Sequence, residues 1–516
     1  MATPVSDMLM QQAGVGADPV ATAVALANQG QLDTAQKMLQ DVLKRAPNHP
    51  EAWFRLGQIH NTRGDIKQAI AAFKRTVGIL PQAPEGHVHL GNAYLRHGRL
   101  SQALQAYRDG LKHHPGYALL HFNHGIALKQ SGDVEAAIAS YNTSLSLDPS
   151  YAPSHFSLGN ALRETGKLAE AEASYRRAIE LQPNFTSALV NLSGLLATQE
   201  NHLGALEAGF AALKLDPNQR DALRNVSTSL YKLNRFEEGV KVALHALAVL
   251  QGETMFQYHM GEMLYGMVRS GEDAKARDYA ERWKSAHPND SVAQHMASAV
   301  LGGQVPERAG DSYVRETFDR FADDFEKVLG GLGYRVPELL CTAIAEQMPG
   351  RTALSVLDAG CGTGLCAPFL RPVAKSLVGV DLSGGMLEKA RARKIYDELH
   401  EAELGNFLAK TSDRYDVAVA ADVFCYFGAL TPSFAALAAK MTQHGVFGFT
   451  VEAMPEDMSA ADGYRLGPTG RYQHDGAYVK QSLEQAGFSL LRFDQTHGRE
   501  EMGQPVPCFL VLARRT

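Results

Sequence analysis

The fold of the second half turns on residues 354–394, LSVLDAGCGTGLCAPFLRPVAKSLVGVDLSGGMLEKARARK. An apolar run ends in Asp358, glycines follow at Gly360, Gly362 and Gly364, and a second apolar run ends in Asp381 ahead of a helical pattern. Short runs rich in Val and Leu read as buried strands, and glycine supplies the tight turn between strand and helix. The alternation continues through YDVAVAADV (415–423), a helix around 434–441 and GVFGFTVEA (445–453). It predicts a mostly parallel, doubly wound sheet.

The ligand of the loop follows from charge. A dinucleotide loop asks for G-x-G-x-x-G, whose third glycine would fall on Leu365, whereas the spacing here is G-x-G-x-G. Asp358 stands two residues before the loop, where a pyrophosphate would be repelled. S-adenosylmethionine has no phosphate and carries an ammonium and a sulfonium, which an acid favours. Asp381 is then placed to accept hydrogen bonds from ribose hydroxyls, while the glycines let the ligand approach the backbone. The alternative reading of Asp358 is a cap on the turn.

VLDAGCGTG and GVDLSGGML together resemble the first two motifs of class I S-adenosylmethionine-dependent methyltransferases, over residues 310–516. The resemblance implies a Rossmann-like, seven-stranded domain with S-adenosyl-L-methionine as cofactor. It puts Asp358, Gly360, Gly362 and Gly364 beside the methionine portion and Asp381 on the ribose. Leu382, Met386, Ala402 and Glu403 fall around the adenine, and Asp422 faces the methyl-transfer centre. SYVRETFDRFADDFEKVL (312–329), with Phe318, Phe321 and Phe325 at helical spacing, resembles the family's lid helices, with phenylalanine at both expected tyrosines. A hydrophobic docking helix is the alternative. Cys361 and Cys425 read as small loop residues. A base is needed if the acceptor carries a proton, and the polar segment 452–475 offers His474 and Tyr472, with Arg471, Tyr426 and Glu452 as orienting groups.

Upstream, a different rule governs. Pro47, Pro81, Pro115, Pro149, Pro183 and Pro217 recur every 34 residues, as do Gly30 to Gly166, Gly57 to Gly159 and Ala35 to Ala205, with aromatics at Phe73, Tyr107, Tyr141 and Tyr175. Small residues allow two helices to cross closely, glycine turns the chain, and proline stops the second helix. Such pairs bury their apolar faces only by stacking. Trp53, Leu56, Gly57, Ala69, Phe73 and Pro81 resemble the tetratricopeptide repeat (TPR). The expected architecture is therefore an all-α superhelix followed by the α/β domain: an array over 16–300, with six clear units to 219 and degenerate units over 220–300, then a domain over 308–516 with lid helices at 311–330. His87, His121 and His155 replace the unit's tryptophan and read as packing residues. Asn123, Asn191 and Asn225, with Asn92 and Asn160, share a helix face. They could bind an extended peptide's backbone, as in transferases of the O-linked N-acetylglucosamine type, or form plain solvated surface.

Composition narrows the remaining classes. At about 150 residues per domain, 516 residues predict three to four domain-sized units. Fifty basic against 56 acidic residues, net −6, disfavour general nucleic-acid binding. No apolar run approaches the ~18 residues of a membrane span, and the N-terminus lacks a secretory pattern, so a soluble, cytoplasmic protein is expected. Five cysteines without C-x-x-C spacing argue against a disulfide framework, and no zinc-ligand spacing is seen, so no metal is expected. Three functions stay open: methylation of a protein or peptide recruited by the repeats, methylation of a small acceptor (lipid precursor, quinone or sugar) with the repeats assembling a complex, and a non-catalytic scaffold. Intact cofactor motifs disfavour the last.

Overall fold

A computed structural model describes residues 18–250, 254–303, 306–501 and 504–516. The stretch read for a secretory pattern (1–17), the first two residues of the expected array among them, and residues 304–305 of the connector lie outside the described residues. The chain divides into two compact units, Met1–Ser229 and Leu230–Thr516.

The first unit is built from antiparallel helix pairs: Pro19–Asn28 with Leu32–Arg45, Pro50–Arg63 with Ile66–Ile79, Pro84–Arg96 with Leu100–His113, and so on to Thr186–Thr198 with His202–Leu215. The repeated glycine seats an aromatic ring. A Cβ on Gly57 would lie 2.6 Å from the Phe73 ring, and one on Gly91 2.3 Å from the Tyr107 ring. Gly64 ends its helix in the left-handed conformation at φ 83°, and Pro81 follows Leu80, the last cap of Ile66–Ile79. Trp53 donates its indole N–H to the Pro47 carbonyl at 2.8 Å. His87, His121 and His155 do the same through Nε2, to the carbonyls of Pro81, Pro115 and Pro149 at 2.8, 2.7 and 3.0 Å. Histidine can stand in for tryptophan because both offer a ring N–H of similar reach. The asparagine face is bonded internally. Asn191 donates to Asn160 at 2.7 Å, Asn160 accepts the Tyr175 hydroxyl at 2.8 Å, and Asn225 donates to the Val190 carbonyl at 3.3 Å.

In the second unit, helices Phe236–Val249, Thr254–Arg269, Asp273–Ala286 and Ser291–Leu301 continue the paired pattern after the motif has faded. Their core, with Phe236, Met260, Trp283 and Val300, runs on into Ala309, Tyr313, Leu466 and Tyr472. Helices Asp311–Phe321, Phe325–Gly331 and Val336–Glu346 lead into the sheet. Its strands are β1 (Leu354–Ala359), β2 (Ala374–Asp381), β3 (Glu398–Glu401), β4 (Tyr415–Ala420), β5 (Met441–Ala453), β6 (Tyr464–Leu466), β7 (Tyr472–His474), β8 (Phe488–Glu501) and β9 (Gln504–Arg515). β3, β2, β1, β4 and β5 run parallel in that order, and β9 then pairs antiparallel with β5 and with β8. Those are the seven strands the resemblance implied, within a sheet of nine. The added pair, β6 and β7, comes from the segment expected to be a polar loop. A turn from Gly467 to Gly470 closes it into a hairpin, which joins the last residues of β5, Glu452 and Ala453.

Phe424, Phe434, Phe447, Phe449 and Val511 pack one face of the sheet, and Leu340, Val356, Leu377, Val419 and Leu512 the other. All five cysteines are free and buried. Among the described residues no helix is long and apolar enough to cross a membrane.

Candidate functional site

Parallel strands leave a crevice beyond their carboxyl ends where the strand order reverses. Here that crevice, between β1 and β4, holds a cleft with an empty volume of about 1070 Å³, part of it open to solvent. Its floor is Gly360, Gly362, Asp381, Leu382, Met386, Ala402, Glu403 and Asp422, and its far wall is Val314, Phe318, Phe325, Leu329 and Tyr334. Asp381 accepts the backbone N–H of Gly362 at 2.8 Å and of Ser383 at 2.9 Å. Burial raises its carboxyl above the ordinary value, and those N–H groups oppose the shift. Glu401 pairs with Asp381 across β2 and β3, and Glu403 caps the next helix by accepting the Asn406 N–H at 2.8 Å. Gly362, at φ 54°, has nothing within 4 Å of where a Cβ would stand, so the backbone there is open to a ligand.

Eight of the expected cofactor residues thus line one cleft; Asp358 and Gly364 do not. Side chains alternate along β1, so Asp358 shares the face of Leu354 and Val356 and points away from the crevice. It is 1% exposed, accepts the Tyr396 hydroxyl at 2.6 Å, and is pushed up to about 7 by burial, with the Tyr396 bond opposing. Gly364 packs against Tyr396, 3.0 Å from its would-be Cβ.

The expected base is also elsewhere. His474 is wholly buried; its Nε2–H donates to the Phe427 carbonyl at 2.8 Å, and burial pushes it down to about 4. A neutral imidazole enclosed in this way cannot reach a proton in the cleft. Tyr472 donates its hydroxyl to the Pro306 carbonyl at 2.8 Å and lies in one core with helices Phe236–Val249 to Ser291–Leu301. Both follow from the hairpin, which buries alternate residues of β7 and sends Arg471 to the cleft.

The end of the cleft beyond β4 is charged. Asp422 adopts φ 54° and is fixed by Thr450, whose hydroxyl donates to Oδ1 at 2.9 Å. Arg499, 5% exposed, bonds Asp422 Oδ2 at 3.1 Å and also Glu452. Arg471 stands 3.6 Å from Glu452, and Tyr426 lines the same wall, its hydroxyl pushed up to about 12 by burial. Sequence reasoning missed Arg499 and Tyr334. Arg499 turns inward because the pairing of β8 with β9 slips between His497 and Glu500. Gly498 inside a strand pattern was the available signal for such a bulge.

Comparison with known proteins finds tetratricopeptide repeats in the first unit and a methyltransferase domain in the second. The tetratricopeptide repeat family matches residues 20–84, 89–152 and 152–185, and the family described as methyltransferase domain matches 332–492. Among relatives, human (Homo sapiens) Methyltransferase-like protein 27 is 43% identical over 91 residues, 17% of this chain and 37% of that protein. The Demethylmenaquinone methyltransferase of Symbiobacterium thermophilum is 34% identical over 103 residues, 19% of this chain and 41% of that protein. The Malonyl-[acyl-carrier protein] O-methyltransferase of Yersinia pestis is 30% identical over 111 residues, 21% and 38%. The chain thus matches about two fifths of these relatives' own lengths. Among solved structures, the Thermus thermophilus TPR protein TTC0263 covers 35% of this chain and 97% of its own, at 27% identity and a TM-score of 0.30. The type IV pilus biogenesis factor PilW covers 43% and 98%, at 18% identity and a TM-score of 0.37.

Proposed function

We propose that the second unit binds S-adenosylmethionine in this cleft and transfers its methyl group to a protein or peptide recruited by the repeats. The observation that carries the cofactor assignment is the pair Asp381 and Glu403. Both carboxylates line the cleft and are bonded to backbone N–H groups rather than to a lysine or arginine. Such carboxylates accept hydrogen bonds from ribose hydroxyls and an adenine amino group, and the G-x-G-x-G spacing, with Leu365 where a dinucleotide loop places its third glycine, favours S-adenosylmethionine over a dinucleotide. Asp358, which faces away, adds nothing directly to this choice. Asp381 would hold the ribose, Glu403 the adenine amino group, and Leu382, Met386 and Ala402 would flank the base.

The sulfonium supplies the methyl group when the cofactor is bound. The chain's own part is to fix the acceptor in line with it, worth up to about 7–11 kcal/mol when orientation is ideal. Phe318, Phe325 and Leu329 exclude water from the cleft. Asp422 takes the role expected of His474: it lines the cleft, and its carboxylate can accept a proton where the acceptor carries one. Arg499 and Thr450 hold it in place.

A second reading, a small apolar acceptor, is favoured by that apolar wall and by the demethylmenaquinone in the name of one bacterial relative. Incubating the full chain and a methyl-labelled donor with cell extract separates the two. Label in the macromolecular fraction is the expected result; label confined to small molecules removes the recruitment role of the repeats; no label beyond an Asp381→Ala control removes methyl transfer.

A further inference from the structure

Helix Asp311–Phe321 contributes Val314 and Phe318 to the cleft wall, and it is held from two sides. On one side Asp319 accepts the Gly385 N–H at 3.1 Å and the Ser383 hydroxyl, and the Ser383 N–H bonds Asp381. Lys389 and Arg393 add ion pairs to Asp323 and Glu326 just beyond it, both at 2.6 Å. This side ties the helix to the residues around the proposed ribose site.

The other side rests on the degenerate repeats. Tyr313 stacks on His295 of helix Ser291–Leu301, with ring centroids 4.0 Å apart, and its hydroxyl meets Met296 Sδ at 3.3 Å. His295 is 7% exposed, and its Nε2–H donates to the Gly470 carbonyl at 2.8 Å, next to Arg471. A Cβ on Gly470 would come within 2.5 Å of Met296 and 2.8 Å of Tyr313, so the β6–β7 turn seats directly on this repeat helix. Farther along, the Arg320 guanidinium lies 4.4 Å from the Tyr258 ring of helix Thr254–Arg269, and Ser291 donates to Glu316 at 3.0 Å. One repeat side chain, His295, therefore touches both the helix over the cleft and the turn that delivers Arg471.

We propose that these repeat helices belong to the working parts of the methyltransferase: Tyr258 and His295 are positioning residues that hold Asp311–Phe321 as a lid over the cofactor. The repeats after Leu230 then serve the cleft as well as extending the array. This rests on cofactor binding as proposed above, so one readout must not depend on the cofactor. A fixed helix opens rarely, and loss of its supports raises the hydrogen exchange of its amides. An open lid must also be ordered at the expense of binding energy, which lowers apparent affinity in proportion to the competent fraction.

The test uses the full chain with Tyr258→Leu, His295→Leu and, as the conservative change, Tyr258→Phe, which keeps the ring under Arg320 and removes only the long 3.5 Å bond from its hydroxyl to Thr317. Hydrogen exchange of residues 311–321 is measured without cofactor, and S-adenosylmethionine affinity by calorimetry. The expected result is faster exchange in 311–321 with β1 and β4 unchanged, and an affinity weakened about 3- to 10-fold in the two leucine variants, with Tyr258→Phe within about twofold of wild type. The half-buried Tyr258 keeps the test decisive if His295→Leu does not fold. Unchanged exchange in 311–321 and wild-type affinity in folded Tyr258→Leu would overturn the proposal. A wild-type chain that does not bind the cofactor overturns the function proposed above, and the exchange measurement then still decides whether the repeats hold the helix.

Discussion

Asp358, two residues before the glycine turn, and Asp381, at the end of β2, behave differently because the first faces the core and the second lines the cleft. Asp381 retains free acceptor capacity toward the cleft. Its replacement by alanine is expected to weaken S-adenosylmethionine binding by about 10- to 100-fold, the loss of hydrogen bonds to a charged group, read by calorimetry against an unchanged helical signal from the repeats. Asp358 is expected to affect stability instead. Its folded value of about 7 lies above the ~3.9 of an unfolded aspartate, so folding takes up a proton between those values. Its contribution is intact below about pH 4 and is progressively lost as the pH rises to about 7. Asp358→Asn still accepts the Tyr396 hydroxyl without that penalty. The melting-temperature advantage of this variant over wild type should grow between pH 4.5 and 8; a flat difference across that range contradicts the burial assignment.

Within the repeats, glycines on adjacent helices have opposite roles. Gly91 exists because Tyr107 fills the space of its side chain, whereas Gly78, within Ile66–Ile79, has nothing within 4 Å of a would-be Cβ and no positive φ. Gly91→Ala should destabilise the first unit by about 1–3 kcal/mol through overpacking. Gly78→Ala should stabilise it by up to about 1 kcal/mol through helix propensity. Chemical denaturation of the full chain, followed by the helical signal, checks both signs. The asparagine face belongs at this scale too. Because Asn191 and Asn160 bond each other and Tyr175, the face gives part of its donors and acceptors to the array, so a peptide would meet a partly satisfied surface.

For the molecule as a whole, the presence of two compact units has a thermodynamic consequence. Two compact units with separate cores are expected to melt in two transitions, and a ligand stabilises only the unit that binds it. Saturating S-adenosylmethionine, at about 100 times its dissociation constant, should stabilise the second unit by about 2.7 kcal/mol and leave the transition of the first unit where it was. A scanning-calorimetry trace in which both transitions move together contradicts this division of labour.

The order of strands around the glycine turn and the 34-residue period were legible in the sequence because both depend on local rules: alternation, helix-ending glycine and proline, and the volume of a ring against a missing Cβ. Asp381 was legible for the same reason, since it ends the second apolar run, whereas Glu403 came only from the family resemblance. What tertiary structure alone decided was facing and enclosure. Asp358 turned out to face the core, His474 was sealed in by a hairpin whose turn rests on helix Ser291–Leu301, and Arg499 was brought in by a bulge in β8. Each outcome depends on a partner distant in the chain, such as Tyr396, Phe427 or Glu452, and no local pattern of residues encodes that contact.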